Sequence, residues 1–437
     1  MERIVRKTFI LYLIVFLFFF ITRNLYFPAW YDAFMQVFML LFGLGVLFLT
    51  KNNKQHILLS VLLYQLLCSF IMVGFNYEIY GDIYGYNPID ADIYRNFGNI
   101  FTSKDFSDAL NYLKYNANDV DDYGYPLIIF FSKKLCNDYF LQFIVFANAM
   151  AVSIASVYLY GLSSLFLPRG EARVVALIWG IMPFSIYTTA AGLKENFFVL
   201  LIVLCFYNLY KYISHKCFYS LCFFLLFASM TFLFRLVVGY AIILSFISYI
   251  VFNNKMFFKH YKLIVIFSLI IIFFTFGYLA EFVINQRGYE YEMVQATASE
   301  KTGGLVGGIT NILAGFIGPF PNFVSSSPEK ITYITRYSFT PFFKMIISFY
   351  FLYAVYYIIK NKKTILFPMI ILFVVNIIML IFTFFTLHDR YQWPHIPVFL
   401  LLSAYGYMLS RQSHNIRKIY SYYLCVILLI IIVFNFR

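Results

Sequence analysis

Charge is what this chain has least of. Only 12% of its 437 residues are Asp, Glu, Lys or Arg, against 62% hydrophobic, and the mean hydropathy is +0.78. Too little polar surface is left to face water, which excludes the two or three soluble domains this length would otherwise suggest. Cysteine is nearly as scarce. Six residues, at 68, 136, 205, 217, 222 and 425, form no CxxC pair, and only Cys136 lies in a predicted outer segment. That excludes a disulfide framework and a metal centre built on thiolates, so no metal and no cofactor are expected. A small-residue cleavage site is missing too. The N-terminal apolar run ends Thr22-Arg23-Asn24-Leu25-Tyr26-Phe27, so it reads as a retained first span rather than a signal peptide.

What the chain has in excess is hydrocarbon. Runs such as Ile10–Ile21, Ile264–Leu279 and Ile365–Phe385 approach or exceed the length needed to cross about 30 Å of lipid. The fold class is all-α: a polytopic helical membrane protein with about 13 transmembrane helices and two long outer loops. Spans are expected at 8–22, 31–50, 57–75, 139–162, 174–191, 195–210, 217–234, 236–252, 263–284, 342–359, 364–385, 393–410 and 419–436. The 22% aromatic content suits lipid-facing and interfacial positions, not the stacking of bases.

The net charge of +13 would suggest nucleic acid in a soluble protein. Its distribution suggests a membrane instead. With the N-terminus cytoplasmic, the breaks 51–54, 169–173, 211–216, 255–262, 360–363 and 411–418 fall inside. Together with the N-terminus they hold 18 of the 33 Lys and Arg but only two of the 20 acids, Glu2 and Glu171. Polar mass collects on the other face, in two long stretches, 76–138 and 285–341. Loops of that length in a compact protein are usually functional or disordered.

The first stretch is the most acidic of the chain. Residues 76–125 hold nine Asp and Glu against Arg95, Lys104 and Lys114, and carboxylates cannot lie in lipid, where each costs roughly 2.5–3.5 kcal/mol. Within it, Asp90 and Asp92 are candidates for a general base at the membrane surface, with Tyr94 and Arg95 just after them. A merely solvated acidic loop is the plainer explanation.

Four other places carry isolated charge. Lys194 and Glu195 interrupt apolar sequence at the outer ends of two spans, where Glu195 serves either as a helix-dipole anion or as a wall of an active site. Arg235 sits in Thr231-Phe-Leu-Phe-Arg235-Leu-Val-Val-Gly239 and needs an anion, such as a lipid phosphate or Glu195, unless it snorkels to the headgroups. In His388-Asp389-Arg390-Tyr391-Gln392-Trp393-Pro394, Arg390 can clamp a phosphate and His388 can move a proton. Aromatic-belt anchoring alone would account for Tyr391 and Trp393. Arg336 and Arg287 are weaker candidates of the same kind.

The order of these features resembles the C-type glycosyltransferase superfamily of membrane enzymes that use polyprenyl-phosphate or polyprenyl-diphosphate sugars. The matching elements are the acidic loop with Asp90-Ala-Asp92-Ile-Tyr94, the later Tyr125-Pro126-Leu127-Ile128-Ile129 and the Pro-containing span from Pro183 to Glu195. The last is Arg390-Tyr391-Gln-Trp-Pro394 opening a span. The resemblance implies two extra helices over 1–56 and a seven-helix module over 57–284 that includes the outer loop 76–138. A second outer loop follows over 285–341, then C-terminal helices over 342–437. The family usually opens its loop after the first span, and its familiar Asp-Glu pair is Asp-Ala-Asp here.

What the resemblance implies for chemistry is a base, Asp92 or Asp90, that activates an acceptor hydroxyl. Arg235, Arg336 or Arg390 would stand near the donor phosphate, with Lys194, Glu195, His388 and Tyr94 around them. The partners would be an undecaprenyl-phosphate type sugar donor, a glycan or lipid-linked acceptor and membrane lipids, with no nucleic acid. The setting would be a bacterial inner membrane, with the outer loops periplasmic and the product a surface polysaccharide or lipopolysaccharide such as O-antigen. A polymerase of O-antigen or capsule repeat units is the first alternative, since it also joins lipid-linked sugars at the outer face. A transporter or flippase is the third, and it calls for midplane charges and two related halves that this chain does not display.

Overall fold

The computed structural model describes residues 1–22, 27–83, 89–116, 123–253, 305–323, 338–382, 386 and 389–436. Among these the secondary structure is helical, with no strand. The N-terminal half runs α1 (Glu2–Thr22), α2 (Phe27–Leu49), α3 (Lys54–Tyr80), α4 (Ile89–Ile100), α5 (Phe106–Asn116), α6 (Gly124–Cys136) and α7 (Phe140–Ser163). It continues with α8 (Arg169–Ile181), α9 (Pro183–Ala190), α10 (Glu195–His215), α11 (Phe218–Phe232) and α12 (Leu236–Asn253). After it come α13 (Leu305–Phe316), α14 (Phe339–Lys360), α15 (Phe367–Phe382), a short helix Asp389–Gln392, α16 (Ile396–Ser410) and α17 (His414–Phe436).

Seven helices among the described residues are long and apolar enough to cross a membrane, or eight if the bent pair α8 and α9 is one span. The chain is thus a multi-pass helical membrane protein. The expected spans other than 263–284, which lies outside the described residues, each overlap a described helix, but only these seven or eight have the length and apolarity to cross. The helix expected over 174–191 is broken. Pro183 has no N–H to give α8 and opens α9 instead, and the two halves meet at 42°.

The described residues of the stretch 76–138 are mainly helical rather than loop. The stretch holds the end of α3 and all of α4, α5 and α6. Apolar helix begins at Gly124, not at 139, and runs through a short 3₁₀ turn at Asn137–Tyr139 into α7 as one 40-residue element. Lys133 is buried within it, with its ammonium 5.0 Å from the Phe140 ring centroid and 3.8 Å from Asp138.

The two ends of the bundle differ in charge. At one end the Met1 ammonium meets Glu171 at 2.8 Å, Arg173 donates to the Thr50 carbonyl at 2.7 Å, and Arg411 lies 3.8 Å from Glu171. These contacts join the N-terminus to three of the basic breaks. Tyr210 donates to the Ile365 carbonyl at 2.8 Å, which brings the end of α10 to the turn before α15. The 21 residues of α10 span roughly 30 Å at 1.5 Å per residue, so Glu195 lies at the far end. Among the described residues the basic breaks gather at one end and the acidic helix α4 at the other.

Candidate active site

The far end is built on a polar lattice inside the bundle. Gln65 on α3 donates to the Gly180 carbonyl and to Ser185 Oγ, both at 2.7 Å, and accepts from Thr189 at 3.0 Å. Asn196 on α10 donates to Thr189 Oγ1 at 2.9 Å and accepts from Thr188 at 3.0 Å. Every one of these side chains is fully buried. In a bilayer such bonds have no water to replace them, so the lattice fixes α9 and the first turn of α10 against α3.

The turn between α9 and α10 needs its glycine. Gly192 has φ +59°, a conformation that costs other residues about 1–2 kcal/mol. Its carbonyl accepts from the Tyr125 hydroxyl, which in turn receives Asn148 Nδ2 at 3.1 Å. Tyr94 of α4 stacks edge-on against Tyr125 with ring centroids 4.6 Å apart. Gly98, one turn on, lets the same helix press against Phe140, whose ring would lie 2.3 Å from any added Cβ. These contacts dock the acidic helix on the bundle and aim its first turn at α10.

Three charged residues from three separate breaks meet there. Arg390 donates through Nε to Glu195 Oε1 and through Nη1 to Asp90 Oδ2. Glu195 has no exposed surface, and its second oxygen, Oε2, has no hydrogen-bond partner among the described residues. Asp90 keeps 39% of its side chain exposed. Arg390 Nη2 makes no hydrogen bond among the described residues. Arg235, at the break between α11 and α12, stands 4.7 Å over the Tyr391 ring and 5.5 Å from Phe198. Arg235 and the buried Lys194 both act electrostatically on the Glu195 carboxylate. Arg390, Arg235 and Lys194 thus stand around the carboxylates of Asp90 and Glu195.

The sequence candidates separate accordingly. Asp90, Glu195, Arg390, Arg235 and Lys194 come together, and Tyr94 supports them. Asp92 belongs to a different group: it pairs with Arg95 on its own helix, and Arg95 also reaches Asp82 at 3.5 Å. Arg336, His388 and Arg287 lie outside the described residues. Arg235 does not snorkel; it is only 9% exposed. Trp393 is no belt anchor either, being buried against Trp179 and Phe184 at centroid distances of 4.7 and 4.6 Å. That packing fixes the segment that carries Arg390.

A second buried group lies just beyond it. Lys344 of α14 contacts Gln392 and approaches His395 Nε2 at 3.5 Å, while Asn376 meets His395 Nδ1 at 2.7 Å. A lone Lys inside the apolar stretch Phe342–Tyr350 was the available signal for it, since ionisable residues within spans are functional by default. A small cavity of about 120 Å³ lined by Tyr94, Arg95, Leu141 and Gly192 flanks the cluster. Among the described residues no group of three or more His, Cys, Asp or Glu side chains gathers. Family models, curated proteins and solved structures were compared with the chain, and none matches it.

Proposed function

We propose that the chain is a membrane glycosyltransferase that moves a sugar from a polyprenyl-phosphate or polyprenyl-diphosphate donor to an acceptor hydroxyl, at the outer face of a bacterial inner membrane. The observation that carries this reading is Arg390 between Asp90 and Glu195, with Arg235 beside them, at the end of the bundle away from the basic breaks. Charge buried at one end of a lipid-embedded bundle is costly, and guanidinium groups gathered there suit a lipid-linked phosphate.

The roles follow from exposure. Glu195 is out of reach of any acceptor, so it holds Arg390 in position. Asp90 is open to the aqueous side and is the base. In the proposed step the acceptor oxygen bonds to the anomeric carbon and its proton goes to Asp90. The bond from that carbon to the phosphate oxygen breaks, and the electron pair leaves with the phosphate, which Arg235 and Arg390 Nη2 receive. Asp92 is as exposed as Asp90 but pairs with Arg95 on its own helix rather than with Arg390, so it stands outside the cluster and takes no part.

Proteoliposomes containing the chain, an undecaprenyl-phosphate type sugar donor and a lipid-linked acceptor test this. Transfer of one sugar supports the reading. A ladder of lengthened glycans marks a repeat-unit polymerase instead, and movement of donor across the bilayer without a new glycosidic bond marks a transporter.

A further inference from the structure

At the basic end of the bundle a cavity of about 1060 Å³ opens among α1, α8, α14, α16 and α17. It shares no residue with the cluster around Arg390. Ligand sites commonly span about 300–1000 Å³, so this one has room for far more than a simple ion.

Its charge is unbalanced in a specific way. Two acids line it, and both are already engaged: Glu2 by Arg6 at 3.0 Å and Arg173 at 3.5 Å, Glu171 by the Met1 ammonium and Arg411. Arg3, Lys7 and Arg417 also line it, and these three make no ion pair among the described residues. They come from opposite ends of the chain and face the same space.

Basic residues at one end of a membrane protein ordinarily mark topology and nothing more. Here they crown a cavity whose deeper wall turns apolar, with Leu11, Val174, Ile346 and Leu424. Tyr350 and Tyr420 pack against each other in the same wall, ring centroids 4.6 Å apart. A cationic mouth over an apolar wall is complementary to one ligand chemistry, an anionic phosphate joined to hydrocarbon.

We propose a second binding site here, for a phosphate-bearing amphiphile whose phosphate is held by Arg3, Lys7 and Arg417 and whose apolar part lies along Leu11 and Leu424, supplied by the surrounding leaflet. This site stands apart from the glycosyl-transfer reading and does not depend on it.

The test uses the full chain in phosphatidylcholine nanodiscs doped with phosphatidylglycerol, with lipid retained after release counted by native mass spectrometry. The triple variant Arg3→Gln, Lys7→Gln, Arg417→Gln loses retained phosphatidylglycerol by at least about tenfold. The control triple Lys51→Gln, Lys54→Gln, Lys363→Gln, equal in lost charge but outside the cavity, keeps it. Leu11→Trp, which fills the wall without touching charge, also loses it, and it carries the test if the triple variant fails to fold. A parallel arm titrates glycerol 1-phosphate into discs of phosphatidylcholine alone. Binding there that the same cavity variants abolish, with no phosphatidylglycerol retained, supports the phosphate site and makes its source soluble. Equal loss in the cavity and control triples, or retention unchanged by the cavity triple and by Leu11→Trp, overturns the proposal.

Discussion

Arg390 donates to Glu195, a carboxylate with no exposed surface that starts a membrane-spanning helix. A buried ion pair contributes little net stability, but removing one partner strands the other charge and costs about 3–5 kcal/mol. Arg390→Gln alone therefore lowers the apparent Tm in detergent strongly. The double variant Arg390→Gln with Glu195→Gln recovers much of that loss without recovering transfer. Thermal unfolding of the parent and both variants followed by size-exclusion fluorescence measures this, and equal destabilisation of the single and double variants would contradict the pairing.

The turn before α10 offers a test that changes no charge. Gly192→Ala imposes a Cβ at φ +59°, 3.2 Å from Ile144 Cγ2, at a cost of about 1–2 kcal/mol. The Gly192 carbonyl shifts from Tyr125, and with it the first turn of α10 moves. Transfer is expected to fall several-fold while membrane expression persists. Kinetics of the purified variant check this, and an unchanged kcat would remove the turn from the account.

Sidedness is testable with a native thiol. Cys217 follows the basic break 211–216 and caps the start of α11, and hydrogen bonding by Ser220, first of all from its backbone N–H, lowers its pKa from the ordinary thiol value. More of it is thiolate at neutral pH, and its reaction slows as pH falls and the thiolate is protonated. A membrane-impermeant maleimide is expected to modify Asp92→Cys in intact cells and Cys217 only after the membrane is opened. The opposite pattern would invert the topology and with it the proposed direction of transfer.

How far the sequence reaches is clear from particular residues. Helix positions were legible because apolar runs long enough to span lipid have few other uses, as in α3, α10 and α17. The basic breaks were legible for the same reason, and the contacts of Met1, Arg173 and Arg411 join several of them. The charged positions 195, 235 and 390 stood out against the apolar spans around them, and Asp90 as part of the acidic stretch. Which of them meet was not legible, because Asp90 and Arg390 are 300 residues apart and pairing at that separation leaves no local pattern. Neither was the choice between Asp90 and Asp92. Two positions apart on a helix, they point in different directions, one at Arg390 and one at Arg95. Lys344 and His395 lie within the expected spans 342–359 and 393–410, and no local pattern shows that they meet; Gly124–Cys136 lies within the stretch 76–138 expected as an outer loop.

The most direct test of the central claim compares two conservative substitutions in the proteoliposome assay, with donor and acceptor saturating. Asp90→Asn is expected to lower kcat at least about a hundredfold, the contribution of a general base, while Asp92→Asn stays within a few-fold of the parent. Full activity in Asp90→Asn, or loss confined to Asp92→Asn, would contradict the account.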